Sequence, residues 1–194
     1  MFRSICVYCG SRRGRNPAYA SAARSLGTHV AEAGLRLVYG GGGVGLMDEV
    51  AQAAMEAGGT VVGVIPEALL ALEVGKHGIT ELEVVRDMHA RKHRMAALAD
   101  GFVALPGGYG TLEELFEVIT WTQLGVHRKP VGVLDVAGYY GPLVSMLDHM
   151  VEEGFVSQAQ RAIVAVASEP SDLLARMAAA VLPEPPRGPG PAGA

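Results

Sequence analysis

The stretch GFVALPGGYGTLEELFEVIT, residues 101–120, decides the fold of this chain. The apolar run Gly101–Leu105 predicts a buried strand, and a glycine-rich turn follows it directly. Apolar residues at helical spacing then predict a helix over Thr111–Gln123. A strand, a glycine turn and a helix in this order are typical of the units that build parallel sheets covered by helices.

The rest of the chain repeats this alternation of short apolar runs and amphipathic stretches. The sequence predicts further strands at Ile5–Tyr8, Leu35–Tyr39, Thr60–Ile65, Leu82–Val85, Val131–Leu134 and Ala162–Val166, and further helices at Pro17–Ala33, Leu46–Ala57, Met88–Leu98, Tyr140–Glu153 and Ser171–Val181. We therefore expect an α/β fold with a mostly parallel sheet and helices on both faces. In such open sheets, ligands bind at the carboxyl ends of the strands.

The composition is that of a globular protein. The 194 residues fit a single domain, which we place at residues 1–182, and the Pro- and Gly-rich segment 183–194 is expected to be disordered. A formal net charge of −4 gives no sign of a nucleic-acid-binding surface. No apolar run approaches the about 20 residues of a membrane span, so we expect a cytoplasmic protein without a membrane partner.

Neither the cysteines nor the histidines predict a metal or disulfide site. Cys6 and Cys9 are the only cysteines, and residues three apart in a strand point to opposite faces. His89 and His93 are four apart on a predicted helix, a spacing that can bind a metal. No glutamate of a His-Glu-x-x-His motif lies between them and no third ligand is evident, so we expect no metal.

A first glycine cluster occupies residues 40–43, between a predicted strand and a predicted helix. Free backbone N–H groups and the helix dipole at such a turn favour an anion, which makes Gly41 and Gly42 candidate phosphate-binding residues. A packing role is equally open, because no Gly-Lys-Ser/Thr follows and no acidic residue closes the next strand to hold a ribose.

A second glycine turn, Gly107–Thr111, is the more specific signal. Its members Gly107, Gly108, Tyr109, Gly110 and Thr111 follow a buried strand and open a helix, and the Thr111 hydroxyl can donate to a phosphate oxygen. Two such loops on neighbouring strands could clasp one phosphorylated ligand from both sides. Whether Tyr109 and Trp121 belong to the core or stack on a ligand is left open by the sequence.

Glu114 has two readings that do not exclude each other. Thr111-Leu112-Glu113-Glu114 matches a capping box, in which a glutamate bonds back to the cap residue. Glu114 also lies near the glycine turn, where a carboxylate could act as a general base on a bound ligand.

A cation-rich helix start, DMHARKHRM at residues 87–95, precedes the strand that leads to the second glycine turn. A solvated basic face is one interpretation of such a run. The other is a ligand contact, since the Arg91 guanidinium could bind a phosphate or a pair of hydroxyls bidentately.

Taken together, these segments resemble the LOG (Lonely Guy) family. The resemblance rests on Met88–Lys92 followed by PGGYGTLEE at residues 106–114, which look like the family's Arg-Lys and PGGxGTxxE signatures. Further matches are Cys9–Ser11, Tyr39–Gly42, Gly45–Met47, Ile65–Pro66, Trp121–Gly125, Lys129–Val131 and Glu153–Phe155. The resemblance covers nearly all of the chain before the tail.

The resemblance implies a Rossmann-like fold, a homodimer with sites near the interface, and cytokinin riboside 5′-monophosphate phosphoribohydrolase activity. The products would be a free base and ribose 5-phosphate. By match, Arg91 and Glu114 are the catalytic pair, and Gly107–Thr111 hold the phosphate. Lys92 and Glu73 would contact the substrate, and the matched motifs add Ser11 and Glu113 as candidate contacts.

The implied reaction needs no cofactor. Cleavage of a glycosidic C–N bond builds oxocarbenium character on the ribose, which a carboxylate can stabilise while it activates water. Pyridoxal chemistry would need a Schiff-base lysine, and Lys76, Lys92 and Lys129 have no recognisable context for it.

Two alternatives and one departure from the family pattern accompany this hypothesis. A hydrolase acting broadly on AMP fits all the residues, and a module that only binds nucleotides fits the glycines but gives Glu114 no chemical task. The family usually has Gly-Leu-Met-Gly where this chain has Asp48 after Met47. A carboxylate there suits the helix dipole but would repel a phosphate if it faced the ligand.

Overall fold

A computed structural model describes residues 2–73, 75–76 and 78–184. Within these residues the strands form one sheet in the order β4-β3-β2-β1-β5-β6-β7, and every neighbouring pair is parallel. The strands are β1 Ser4–Tyr8, β2 Arg36–Tyr39, β3 Val61–Pro66, β4 Glu81–Val85, β5 Gly101–Ala104, β6 Val131–Leu134 and β7 Val164–Ala167. The predicted parallel α/β sheet is confirmed.

Helices connect the strands. They are α1 Ala18–Glu32, α2 Gly45–Glu56, α3 Glu67–Glu73, α4 Met88–Leu98, α5 Tyr109–Leu124, α6 Gly141–Glu152, α7 Gln158–Arg161 and α8 Pro170–Ala179, with a 3-10 turn at Val136–Gly138. Helices α3 and α7 were not predicted from the sequence. The four-residue α7 is too short to show a period, and the capping box of Ser157 and Gln160 holds it. Among the residues that the structure describes, no helix is long and apolar enough to cross a bilayer.

The core has one layer on each face of the sheet. Alternate residues of β1 separate into the two layers, with Ile5 and Val7 among the residues packed with α1, α2 and α8, and Cys6 and Tyr8 among those packed with α4, α5 and α6. Cys9 belongs to the first layer and Cys6 to the second, so the prediction that the cysteines face opposite sides is confirmed.

The predicted tail lies mostly outside the described residues, which end at Glu184. Its first residue contacts the domain, because the Arg128 guanidinium donates to the Pro183 carbonyl oxygen at 3.3 Å, beside its bond to the Leu182 carbonyl oxygen at 3.1 Å.

The chain order reverses between β1 and β5, which places a crevice at the carboxyl ends of these two central strands. From β1 the chain runs outward through β2, β3 and β4, then returns to the other side of β1 as β5 and continues through β6 and β7. In open parallel sheets this switch point is where ligands bind. The fold therefore predicts a ligand site between the loop after Tyr8 and the loop after Ala104.

The contact between α1 and α2 in the first layer depends on Gly27 of α1. A Cβ built on Gly27 would overlap the carbonyl oxygen of Val50 in α2. The absence of a side chain thus lets the two backbones touch, where an ordinary residue would hold the helices apart.

We predict that Gly27→Ala lowers the free energy of unfolding by about 1–3 kcal/mol, because overpacking outweighs the better helix propensity of alanine. Urea unfolding measures this. Gly110→Ala is the matched control, since a Cβ at the second residue of α5 meets nothing within 4 Å. Equal stability of the two variants would contradict the packing argument.

Candidate active site

Two loops meet at the switch point and form a seam of backbone atoms. The Gly10 N–H donates to the Pro106 carbonyl oxygen at 3.0 Å, and a Cβ on Gly10 would lie 3.3 Å from the Gly107 Cα. We call Gly10, Gly107 and Gly108 the seam. Glycine is needed here because the loop after β1 runs directly against the loop after β5.

A cavity lies on each side of the seam. The carboxylate cavity, of about 360 Å³, is lined by Arg91, Glu113 and Glu114 together with Ser11, Met47, Met88 and the turn Gly108–Thr111. The arginine cavity, of about 370 Å³, is lined by Arg12, Arg13, Tyr19 and Tyr139 together with Ser11, Leu46 and Gly107. Both volumes fall within the range of small-molecule sites.

The carboxylate cavity contains a buried ion pair. Arg91 Nη1 lies 3.3 Å from Glu114 Oε1, and each residue is only 8% exposed. The other guanidinium nitrogens are also held, since Nε donates to the Val64 carbonyl oxygen at 3.1 Å and Nη2 to that of Gly40 at 3.3 Å. The solvated-face alternative for Arg91 is therefore wrong, because three elements hold this side chain in the interior.

Local sequence explains how α4 presents Arg91. Asp87 caps the helix, its carboxylate accepting from the Ala90 N–H at 2.8 Å, so α4 begins one turn before Arg91. Gly40 provides the room for the guanidinium, because a Cβ there would overlap Arg91 Nη2. This gives one member of the first glycine cluster a packing role.

Burial raises the pKa of Glu114 from 4.5 to about 7, although the neighbouring Arg91 opposes the shift. Loss of water around the carboxylate outweighs the attraction of one guanidinium. Near neutral pH the carboxyl group is therefore divided between its protonated and ionised forms, which is the condition that suits a general base.

The capping-box prediction for Thr111 and Glu114 is wrong. Helix α5 begins at Tyr109 with Gly108 as its cap, so Thr111 is the third helical residue and Glu114 lies in the second turn. The extended conformation of Gly108 allows the helix to start directly on the glycine turn. Glu114 is consequently free of a capping role.

The first turn of α5 lines the carboxylate cavity through Tyr109, Gly110 and Thr111. The first N–H groups of a helix have no partner within it, so this edge of the cavity favours an anion. Thr111 is buried, whereas Tyr109 is 95% exposed and is therefore not a core residue. The Trp121 ring packs against two histidines, with ring centroids 5.7 Å apart for His93 and 6.0 Å apart for His127. Trp121 is not part of the cavity lining.

Comparison with known proteins shows to which family this chain belongs. The model of a family described as "Possible lysine decarboxylase" matches residues 47–177. The probable cytokinin riboside 5′-monophosphate phosphoribohydrolase LOG4 of Oryza sativa subsp. japonica is 53% identical over 175 residues, which cover 90% of this chain and 76% of LOG4. The chain belongs to the LOG family. The Arabidopsis thaliana phosphoribohydrolase LOG7 is 52% identical over 91% of this chain and 81% of its own length.

Solved structures share the fold. The molybdenum cofactor carrier protein of Chlamydomonas reinhardtii is 23% identical and superposes with a TM-score of 0.64, covering 88% of this chain and 92% of its own. At that identity the likeness concerns the Rossmann-like architecture alone.

The lysines of this LOG-family chain do not fit the chemistry in the family model's description. None of Lys76, Lys92 and Lys129 lines either cavity. Each Nζ is held elsewhere, Lys76 by the Asp48 carboxylate at 2.6 Å and Lys129 by the Ala96 carbonyl oxygen at 2.7 Å. A pyridoxal group would have no Schiff-base lysine beside the cavities.

Of the remaining predicted contacts of this LOG-family site, two line a cavity and Lys92 does not. Ser11 borders both cavities and Glu113 lines the carboxylate cavity. Lys92 lines neither, because its ammonium bonds Glu113 at 2.5 Å and Glu117 at 3.0 Å. The Glu73 side chain lies outside the described part of the chain.

The two glycine clusters do not follow neighbouring strands as expected, because β1 lies between β2 and β5. Gly41 has a positive φ of 77° and packs against Ile65, and Gly42 forms a bridge with Gly75. Neither residue is in the lining of the carboxylate cavity or the arginine cavity. The loop that faces the second glycine turn is instead the one after β1. Asp48, the departure from the family pattern, pairs with Lys76 and does not line a cavity.

Sequence reasoning missed the arginine cavity. Its signal was the pair Arg12-Arg13 directly after the carboxyl end of β1, where a doubly wound sheet binds ligands. Tyr139 could not be found this way, because it reaches the seam from the segment after β6. No group of three or more metal-ligating side chains occurs among the described residues.

Proposed function

We propose that this LOG-family protein hydrolyses the N-glycosidic bond of cytokinin-type adenosine 5′-monophosphates and releases the free base and ribose 5-phosphate. The observation that carries the proposal is the buried Arg91–Glu114 pair, which lines a cavity at the switch point of the sheet. Curated relatives at about half identity that are named as cytokinin riboside 5′-monophosphate phosphoribohydrolases support the choice of substrate.

The proposed reaction uses the ionised Glu114 carboxylate. It accepts a proton from a water molecule as the water oxygen forms a bond to C1′ of the ribose, and the bond from C1′ to the base nitrogen breaks. In net terms the hydroxyl goes to C1′ and the proton to the base. The negative charge of Glu114 also stabilises the oxocarbenium character of C1′.

Arg91 is proposed to hold both the substrate and Glu114 in place. Its backbone-bound guanidinium fixes the carboxylate at one side of the cavity. The same cation keeps part of the Glu114 population ionised despite its burial. Positioning of this kind lowers the barrier because the charges need no reorganisation during the reaction.

The seam and the first turn of α5 are proposed to bind the 5′-phosphate. Gly107–Thr111 offer backbone N–H groups at a helix start, and Ser11 offers a hydroxyl from the facing loop. Lys92 and Glu73 are proposed as further contacts on the strength of the family match, with Lys92 acting through its bond to Glu113.

We further propose a homodimer with the sites near its interface. Met88 and Tyr109 line the carboxylate cavity and are exposed. Val84, on the strand β4 that precedes α4, is exposed as well. A second copy would cover these apolar side chains and extend the pocket for an apolar base. The expected molar mass in light scattering is twice that of one chain, and a monomer at micromolar concentration would contradict this proposal.

We predict that Glu114→Gln lowers base release by about 10²–10⁴-fold, because an amide cannot accept the proton of water. Purified protein is incubated with isopentenyladenosine 5′-monophosphate and, separately, with AMP, and the released base is quantified by chromatography. The preferred base then separates a cytokinin-specific from a broad AMP hydrolase.

Glu117→Gln is the matched control. It removes one carboxylate from the same helix, but Glu117 bonds Lys92 and does not line the cavity. We expect it to retain activity within a few-fold, and both variants to melt as cooperatively as the wild type. If neither nucleotide is cleaved by the wild type although both bind, the protein is a binding module and the proposed activity is wrong.

A further inference from the structure

Within the described residues, three ion pairs join α4 to α5 beside the carboxylate cavity. One of them is the pair of Arg91 with Glu114. The next residue of α4, Lys92, bonds Glu113 at 2.5 Å and Glu117 at 3.0 Å. We call Lys92, Glu113 and Glu117 the lysine cluster. It lies directly beside the pair that carries the proposed reaction and takes no part in the steps of that reaction.

The spacing of the acids in α5 explains why a cation is needed here. Glu113 and Glu117 are four positions apart, so their carboxylates lie on one face of the helix and repel each other. Glu114 adds a third acid within the same two turns. Helix α4 supplies the two cations that offset these acids, and Lys92 is the one that meets the two acids of the lysine cluster.

The ammonium group of Lys92 is fully engaged in this contact. Its side chain is only 12% exposed and bonds two carboxylates at once. The hydrogen bond to Glu113 raises the pKa of Lys92 above its usual value, so the ammonium group keeps its charge near neutral pH. Because Lys92 lines neither cavity, a direct bond from its ammonium to a substrate would require one of these contacts to break.

The lysine cluster acts on Glu114 through its charges. Burial is the main cause that raises the pKa of Glu114 to about 7, and Arg91 is the charge that opposes it most. The carboxylates of Glu113 and Glu117 add to the rise, whereas Lys92 opposes it. The effects of the lysine and of the two acids therefore largely cancel at Glu114. Without the lysine, the two carboxylates would disfavour the ionised form of Glu114.

The other titratable groups that act on Glu114 in the described part of the chain are uncharged near neutral pH. They are Cys6 and Tyr8 of β1 and Cys9 of the loop after it. Burial raises the pKa of both thiols and of the phenol well above their usual values. The charges that decide the ionisation of Glu114 therefore come from α4 and α5.

We propose that Lys92 is a positioning residue, which acts on the reaction through the acids of α5 rather than by binding the substrate. By neutralising Glu113 and Glu117, it allows Glu114 to carry its charge beside Arg91. The inference rests on the proposed function, because the charge of Glu114 matters only if this carboxylate accepts a proton. The titration that tests it needs no turnover.

The test follows the Glu114 carboxyl group by carbon-13 NMR of the glutamate-labelled free protein, and kcat/KM for isopentenyladenosine 5′-monophosphate over the same pH range. Lys92→Met removes the charge and keeps most of the length of the side chain. Arg94→Met is the matched control, because Arg94 lies on the same helix but bonds Glu83 of β4 at 2.6 Å. Lys92→Arg restores a cation at the position itself.

We expect Lys92→Met to raise the pKa of Glu114 by about one pH unit, which is the lower end of what a nearby charge does. Below neutral pH, kcat/KM falls by about tenfold because fewer molecules hold the ionised carboxylate, and above about pH 9 it returns to the wild-type value. Lys92→Arg and Arg94→Met titrate close to the wild type.

Two further variants separate the effect of charge from a loss of structure. Lys92→Met combined with Glu113→Gln removes one positive and one negative charge, so the lysine cluster regains its wild-type net charge and the pKa of Glu114 returns toward the wild-type value. Glu113→Gln alone lowers the pKa of Glu114. A merely loosened contact between α4 and α5 would not reverse the direction in this way. Thermal melts of all variants measure the structural cost.

An unchanged titration of Glu114 in Lys92→Met would overturn the inference, and so would an equal shift in Arg94→Met. A KM that rises at every pH without a shift of the titration would also overturn it, because Lys92 would then bind the substrate directly. If Lys92→Met does not fold, the shift in Glu113→Gln decides, and a shift that is absent or upward overturns the inference.

The same data separate this inference from the proposed hydrolysis. If the wild type cleaves no nucleotide but the titrations shift as expected, the charge balance around Glu114 stands and the hydrolysis fails. If the wild type cleaves nucleotides and the titration of Glu114 does not respond to Lys92→Met, the hydrolysis stands and the role of Lys92 fails.

Discussion

The ion pair between Arg91 and Glu114 is the constraint on which the rest of the site depends. Two charges taken out of water are costly unless each finds good partners, and here the guanidinium meets one carboxylate and two backbone carbonyl oxygens. These partners come from β3, α5 and the turn after β2, so the sheet order must be correct before the pair can form. The fold and the chemistry are therefore linked at one interior contact.

The glycines around the pair are needed because a side chain at these positions would overlap neighbouring atoms, and not because the backbone must be flexible. Gly40 makes room for the guanidinium, and Gly10 lets the loop after β1 touch the loop after β5. That contact divides the crevice into two cavities of similar size and opposite charge.

Much of this could be predicted from the sequence because the strong periods and turns are local. The βα alternation gave the parallel sheet, and the family pattern brought out Arg91 and Glu114, which lie 23 positions apart yet form one pair. The capping box at Thr111 failed because Gly108 starts the helix earlier than a threonine cap would. The position of Gly41 could not be predicted from the sequence, because its packing against Ile65 depends on which strands become neighbours in the sheet.

A direct titration of the Glu114 carboxyl group tests the central claim most directly. Carbon-13 NMR of glutamate-labelled protein, assigned with Glu114→Gln, gives its pKa in the free protein, and kcat/KM is measured over the same pH range. Burial predicts a pKa near 7, with kcat/KM rising about tenfold per pH unit below it and levelling above it, because only the ionised form accepts a proton. A carboxyl group that titrates near 4.5, or a rate that does not change with pH across neutrality, would contradict the account.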